Sequence, residues 1–205
     1  KQEGNYFDTN IGYSITYDKR DRRWRTSEGF VSSFIQNLPI YADDLSVLNG
    51  YEFSKYNNWG DDLITKISFY TRAVNSLDDS KDVRISERVR LPRDKLKGFE
   101  PGKVGPKDGS DYVGGNYAAS LNFTTNLPMI LPSVQTADFA FFIDAGNVWG
   151  VDYSDTVNES NEIRSAAGIG VNWFTPIGPM NFTLSQPITK ASSDKTQTFQ
   201  FSIGT

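Results

Sequence analysis

Few side chains of this chain are able to perform covalent or metal chemistry. The 205 residues include no His and no Cys, so the usual zinc ligands, the usual base of hydrolytic triads and any disulfide are missing. Acidic pairs that suggest calcium occur at Asp43-Asp44, Asp61-Asp62 and Asp78-Asp79. None lies in a loop with the spacing of a calcium site, so we interpret them as solvated turns. We therefore expect no enzyme, no cofactor and no metal site.

The charges of the chain also argue against nucleic acid as a partner. There are 21 basic and 25 acidic residues, a net charge of −4. The densest basic run, Lys19 to Arg25, is short and is interrupted by Asp21. A phosphate-binding surface needs a larger cluster of cations. We interpret the run as a solvated turn, with contact to a membrane surface or a partner as the alternative.

The elements that carry the remaining polar side chains are predicted to be β-strands. In residues 115–127, Leu121 and Phe123 lie on an apolar face, whereas Ser120, Asn122 and Thr124 lie on a polar face. Similar alternation predicts nine strands, at about 10–18, 29–38, 45–56, 63–74, 115–127, 137–149, 163–174, 178–188 and 196–204. Residues 83–91 alternate as well and suggest one further short strand.

Strand length separates two kinds of all-β protein. Strands of soluble sandwiches cluster near about five or six residues, whereas a tilted strand needs about nine to eleven to cross a bilayer. The predicted strands have the longer length, and Asp144, Arg164 and Gly168 would make a poor soluble surface. No stretch of about 20 apolar residues predicts a transmembrane helix. We therefore predict an antiparallel transmembrane β-barrel with its apolar faces toward lipid, and a soluble sandwich that binds a partner is the alternative.

The connections between the predicted strands tend to alternate in length. The turn at 175–179 is tight, whereas residues 150–162 and the charged, Gly-rich residues 75–113 form long loops at the opposite end. In bacterial barrels tight turns are periplasmic and long loops are extracellular. The turn at 56–62 agrees with this assignment, but the short link at 39–44 does not.

Ordered motifs from residue 96 onward resemble one family of outer-membrane barrels. Leu96-Lys97-Gly98-Phe99 is similar to the Val-Arg-Gly-Phe signature in the sixth extracellular loop of the BamA family, whose members assemble outer-membrane proteins. The further matches are Glu100-Pro101-Gly102, Val104-Gly105-Pro106, Gly114-Gly115-Asn116, Phe141 to Trp149, Ile163 to Gly170, Trp173 to Pro179 and Gln200 to Gly204. The likeness is specific over residues 96–205, and the first 95 residues fit by pattern alone.

The resemblance implies the C-terminal part of a sixteen-stranded barrel, with the loop at about 75–113 folded back into the lumen. Lys97 would be the motif cation and Asp144 its acceptor on the inner wall, because an inward acid in a confined lumen needs a partner. Asn122 matches a second wall position, where it is able to accept a hydrogen bond without adding charge. Gly98 would allow an unusual backbone angle or a close approach, and Phe99 would anchor the loop.

Lysine in place of the family's arginine loses the bidentate fork, so we expect a geometrically looser contact. The alternative is a solvated loop lysine and a hydrated wall aspartate.

The resemblance further implies an outer-membrane protein assembly factor of Gram-negative bacteria. Phe199, Phe201, Ile203 and Gly204 would belong to the last strand, at a lateral seam where incoming strands add. The implied partners are the lipid bilayer, nascent outer-membrane β-barrel proteins, and accessory lipoproteins that bind through periplasmic POTRA domains. We expect residues 1–205 to be a partial barrel domain without those domains. A polypeptide-translocating barrel of the same superfamily and a passive porin-like channel are the alternatives.

Overall fold

The computed structural model describes residues 7–61, 63–127, 136–154, 157, 161–176 and 178–203. Its main element is a nine-stranded antiparallel sheet whose strands follow one another in chain order. The strands are β1 (Asp8–Asp18), β2 (Gly29–Ala42), β3 (Ser46–Asn58), β4 (Ile64–Ser76), β7 (Tyr117–Asn126), β8 (Ala137–Trp149), β9 (Arg164–Thr175), β10 (Gly178–Thr189) and β11 (Phe199–Ile203). Two short strands, β5 (Lys107–Asp108) and β6 (Asp111–Tyr112), form a hairpin between β4 and β7.

All nine predicted strands of the sheet are present, but two predictions about segments were wrong. Residues 83–91 form no strand, because a turn occupies 85–87 and only Val89 makes a bridge, to Gly115. The last strand begins at Phe199 rather than at Thr196, because Thr196 bridges to Phe99 instead. In the described part of the chain, no helix is long and apolar enough to cross a membrane.

The two faces of the sheet differ sharply in composition and exposure. Asn122 and Asp144 are paired across β7 and β8 and share one face, which we call the inner face. Asp144 is fully buried there, whereas Leu121 and Ile143 on the outer face are 54% and 43% exposed. A soluble sandwich would bury such side chains, so the outward apolar surface agrees with the predicted membrane barrel.

The long loop, residues 77–116, covers the inner face and supplies half of the hydrophobic core. A short 3₁₀ helix, Arg93–Lys95, lies within it. The buried apolar residues of the loop are Val83, Val89, Leu91, Leu96, Phe99 and Val104. They pack with Tyr70, Val74, Ala118, Val148 and Ala166 of β4, β7, β8 and β9. The core therefore lies between loop and wall, not between two sheets.

The basic run connects β1 to β2 and is not only a solvated turn, as it was predicted to be. Arg25 forms an ion pair with Asp138 of β8 at 2.5 Å, and the rings of Trp24 and Phe174 are 5.3 Å apart. Strands β2 and β8 are separated by three others in the sheet. This contact therefore requires the sheet to curve toward its inner face, as the wall of a barrel does.

Candidate functional site

The loop motif Leu96 to Phe99 lies against the inner face of the wall. Leu96 and Phe99 are 4% and 2% exposed. The Lys97 ammonium lies 2.9 Å from Oδ2 of Asp144, and the Lys97 backbone N–H donates to the same oxygen at 3.1 Å. The Lys97 ammonium also lies 4.3 Å from the centre of the Phe142 ring. The structure thus brings together the cation and the wall acid that the sequence predicted as partners.

Asn122 completes the surroundings of Asp144, but as a donor. Its amide nitrogen donates to Oδ1 of Asp144 and to the carbonyl of Lys95, both at 2.8 Å. Its own oxygen accepts from the Ser120 hydroxyl at 3.2 Å. Asn122 thus accepts a hydrogen bond, as predicted, but toward Asp144 it donates, because a carboxylate only accepts. Both oxygens of the buried Asp144 are therefore satisfied, and one cation balances one anion.

Gly98 has both the positive φ angle and the close approach to the wall that the sequence predicts as alternatives. Its φ is +89°, a region that residues with a side chain rarely adopt. A Cβ atom there would lie 3.0 Å from Cβ of Ala166 and 3.4 Å from Oγ of Ser185. The Gly98 carbonyl also accepts from the backbone N–H of Gln197 at 2.9 Å. Glycine therefore lets the motif lie directly on β9 and β10.

We expect Gly98→Ala to destabilise the protein by about 1 to 3 kcal/mol more than Gly109→Ala. Gly109 also has a positive φ, of +59°, but no atom lies within 4 Å of a Cβ built on it. The control thus reports the backbone cost alone, and the difference reports the contact with the wall. Urea unfolding of the full-length protein in detergent measures both values. Equal losses would mean that the motif does not need close approach to the wall.

Phe99 connects the motif directly to the last strand. Its carbonyl accepts from the side-chain amide of Gln200 at 2.9 Å, and Gln200 is 4% exposed on the inner face of β11. The sequence predicts no partner for Gln200, which enters there only through the family match Gln200 to Gly204. An uncharged side chain in a strand carries no sign of a partner 101 residues away.

The connection between β10 and β11, residues 190–198, is held to the loop by a series of backbone hydrogen bonds. Glu100 N–H donates to Lys195 at 3.0 Å, and Lys195 N–H donates to Lys103 at 3.1 Å. The Tyr112 hydroxyl donates to the carbonyl of Ser193. The loop motif, this connection and β11 therefore form one hydrogen-bonded unit.

A buried ion pair holds this connection to the wall. Arg164 at the start of β9 makes two bonds to Asp194, from Nε to Oδ2 at 2.9 Å and from Nη2 to Oδ1 at 3.1 Å. Both side chains are fully buried, and Arg164 also donates to Asn147 at 2.5 Å. Sequence reasoning placed Arg164 on the inner face but missed Asp194, which lies in a segment without alternation.

A second buried arginine holds the first part of the loop. The guanidinium of Arg88 donates to Asp152, to the Val83 carbonyl at 2.9 Å and to Asn116 at 3.1 Å. Burial raises the pKa of Asp152, but hydrogen bonds from Val83, Asn116 and Arg88 outweigh it and hold the pKa below its ordinary value. Because the pKa of Asp152 is lower in the folded state, its carboxylate stabilises the fold fully at pH values above its ordinary pKa. This stabilisation is lost as the pH falls through the lowered pKa of the folded state.

One acidic pair that was interpreted as a solvated turn also binds the loop. Asp44 forms ion pairs with Lys81 at 2.9 Å and with Arg84 at 3.7 Å. Arg84 in turn contacts Asp8 of β1 at 2.5 Å. The loop is therefore attached to the wall from β1 through to β11.

One edge of β11 pairs with β10, and no other described strand of this chain pairs with the opposite edge. The Ser185 N–H donates to the Thr198 carbonyl at 2.8 Å in the same register as the β10–β11 ladder, so these two residues form a hydrogen-bonded pair. Because such pairs alternate along an antiparallel ladder, the N–H and C=O groups of the three outward-facing residues point away from β10. These residues are Phe199, Phe201 and Ile203. Gly204, predicted to belong to this strand, lies outside the described residues.

Fold and site together define a class: a β-barrel of the outer membrane whose wall is locked to a loop folded against its inner face. The whole chain, residues 1–205, matches the model of the Omp85 superfamily domain, and the chain belongs to that superfamily.

Named relatives agree with this assignment. The chain is 32% identical over 137 residues to outer membrane protein assembly factor BamA of Neisseria meningitidis serogroup B. This alignment covers 54% of the chain and 17% of the relative. It is 30% identical over 201 residues to BamA of Neorickettsia risticii, in an alignment that covers 94% of the chain and 26% of the relative. A SAM50-like protein of Schizosaccharomyces pombe is 23% identical over 210 residues, 94% of the chain and 43% of the relative.

A solved structure agrees in fold. The crystal structure of BamA from Haemophilus ducreyi lacking POTRA domains 1-3 matches with a TM-score of 0.84 at 23% identity, over 94% of this chain and 41% of that one. The predicted antiparallel barrel, the resemblance to the BamA family and the location in the bacterial outer membrane are thereby confirmed. The chain spans 17% and 26% of the length of the two bacterial relatives.

Proposed function

We propose that the protein containing this chain folds and inserts β-barrel proteins into the bacterial outer membrane, and that β11 is the edge to which an incoming strand adds. The observation that carries this proposal is the row of backbone groups at Phe199, Phe201 and Ile203 that points away from β10. Two relatives named as outer membrane protein assembly factors support it. The step is non-covalent, because it exchanges hydrogen bonds only.

Strand addition at this edge follows from ordinary sheet chemistry. Unpaired N–H and C=O groups form a template on which another strand pairs, and side chains of the added strand then alternate between the two faces. Phe199, Phe201 and Ile203 are 55%, 38% and 59% exposed on the outer face. An added strand in this register would therefore direct its apolar side chains toward lipid and its polar ones inward.

The loop is expected to keep this edge in a usable position. Lys97 is held on Asp144, and two residues later the carbonyl of Phe99 binds Gln200 of β11. Displacing the motif would thus remove a hydrogen bond from the last strand. The substrates would be nascent outer-membrane β-barrel proteins, and accessory lipoproteins would bind through periplasmic domains outside this chain.

A proline placed in β11 tests the edge directly. The N–H of Phe201 points away from β10, so Phe201→Pro removes a donor at the edge without removing one from the β10 ladder. We expect Phe201→Pro in the full-length protein to reduce the level of assembled outer-membrane porins about fivefold, the effect of about one lost hydrogen bond.

The matched control is Phe201→Ala, which also loses the ring contact with Phe182 at 5.0 Å but keeps the N–H. Porin levels are measured in cells that carry each variant as the sole copy. If the proline and alanine variants assemble porins equally well, the edge is not used, and a translocating barrel or a passive channel becomes the better explanation.

A further inference from the structure

One charged side chain lies on the outer face of the sheet. Lys55 of β3 pairs directly with Phe30 of β2 and Ile67 of β4, and Ile67 is 44% exposed on that face. Within the nine strands as the structure describes them, the register places every other charged side chain on the inner face. Lys55 is therefore a single cation on a surface that otherwise turns uncharged side chains to lipid.

Both strands that flank Lys55 are present, so its surroundings on the outer face are complete. β3 is the third of the nine strands, and β2 and β4 are each paired with it at Lys55. The side chain is exposed, and among the described residues it forms no ion pair and no hydrogen bond. A cation on a lipid-facing surface is stabilised by a counter-charge, and the described part of the chain offers none.

Lys55 lies near the periplasmic boundary of the membrane. It comes three residues before the end of β3 at Asn58, and a tight turn joins Asn58 to β4. Tight turns of bacterial barrels are periplasmic. Three residues of a strand span about 10 Å. The ammonium at the end of the long lysine side chain therefore reaches the level of the phosphate groups of the periplasmic leaflet.

Aromatic side chains on the outer face form a row beside Lys55. The ring centre of Phe30 lies 5.7 Å from that of Tyr17 and 6.1 Å from that of Phe53. Phe30 pairs directly with Lys55, and Phe53 precedes Lys55 by two residues on the same face. Aromatic rings are enriched at this depth of a membrane, where acyl chains meet head groups. The cation and the rings therefore provide the two kinds of contact that one phospholipid molecule needs.

We propose that Lys55 and the row of Tyr17, Phe30 and Phe53 bind one anionic glycerophospholipid of the periplasmic leaflet. The phosphate group of the lipid accepts hydrogen bonds from the Lys55 ammonium, and its acyl chains lie on the rings. The bound lipid supplies the counter-charge that the described part of the chain lacks, and it fixes the depth of this wall in the bilayer. The proposal rests on the membrane location of the barrel and not on strand addition at β11.

Native mass spectrometry of the purified full-length protein, released from detergent micelles, tests this site. The probe is phosphatidylglycerol, added below saturation, and the measured quantity is the fraction of protein that retains one lipid. The parent is compared with Lys55→Gln, Lys55→Arg and the control Lys66→Gln. Lys66 of β4 lies on the inner face, where it pairs with Tyr56 and its ammonium lies 5.6 Å from the centre of the Tyr56 ring. The control thus removes the same charge, on the neighbouring strand, from the face that does not meet lipid.

We expect Lys55→Gln to lower the phosphatidylglycerol-bound fraction about threefold to tenfold, because one cation near the head group is lost. Lys55→Arg and Lys66→Gln should match the parent, since both keep the cation on the outer face. Equal binding by Lys55→Gln and the parent overturns the site, and so does an equal loss with Lys66→Gln. Retention of phosphatidylcholine as strong as that of phosphatidylglycerol, or displacement of the lipid by inorganic phosphate, overturns it as well. Each of these results leaves the proposed function standing.

Discussion

Replacing Lys97 by Glu is expected to release the loop motif from the wall and to reduce assembly of outer-membrane proteins more than any other single substitution in the loop. The substitution puts a second carboxylate beside the buried Asp144, where Lys97 Nζ now lies 2.9 Å from Oδ2. Breaking a buried pair costs about 3 to 5 kcal/mol, and we expect the lower part of this range because the Lys97 side chain is 22% exposed. Porin levels in cells and urea unfolding of the purified protein measure the two effects.

Three companion variants define what the Lys97–Asp144 ion pair, called the lock, requires. Lys107→Glu changes the same charge in the same loop, in β5, and should leave assembly near the parent level. Lys97→Arg should retain the lock, since it keeps the cation. The exchange of Lys97 and Asp144 should not restore it, because the Asn122 amide and the backbone N–H of residue 97 would then face an ammonium. Normal porin levels with Lys97→Glu would contradict the role of the pair.

Replacing Asp194 by Asn is expected to cause the largest loss of stability, about 3 to 5 kcal/mol. It removes the charge of the carboxylate that binds the fully buried guanidinium of Arg164 through two hydrogen bonds, and it weakens both bonds. The connection at 190–198 should then come away from the wall, and the loop should lose the bonds that it makes there. Urea unfolding gives the free energy, and limited proteolysis of the folded protein reports cleavage within 190–198.

The control for this prediction is an ion pair of the same kind near the surface. Lys81 and Asp44 are 2.9 Å apart with side chains 43% and 23% exposed, so solvent screens the pair and Lys81→Met should cost much less than Asp194→Asn. Combining Asp194→Leu with Arg164→Met should recover part of the loss, because an apolar pair leaves no charge buried. A cost for Asp194→Asn as small as that for Lys81→Met would show that Arg164 finds another partner.

The Lys97–Asp144 and Arg164–Asp194 ion pairs act on the same part of the molecule. Lys97 fixes the motif to β8, and Arg164 fixes the connection 190–198 to β9. The motif and the connection are joined through Gly98 and Gln197. Loss of either ion pair should therefore disturb β11, and the two effects should not be additive, because residues that share one hydrogen-bonded network are coupled.

Most of the fold could be predicted from the sequence, because alternation is a local property. Residues two positions apart in a strand share a face, so alternation of apolar and polar residues over a few positions indicates which face is apolar. The outward faces of β1 and β7 to β11 are predicted in this way. The end of a strand is less local. The start of β11 was placed at Thr196 rather than Phe199, since the pattern continues while Thr196 pairs with the loop.

The candidate site could likewise be predicted only in part from the sequence. Residue types and their order, from Leu96 to Phe99 and at Asp144, were enough to predict a cation on a loop and an acid on the inner wall. The donor role of Asn122 and the partners of Gln200 and Arg164 were decided by the tertiary structure alone. These two partners lie 101 and 30 residues away. Sequence patterns describe which way a side chain faces, but only the folded chain decides which distant group is there to meet it.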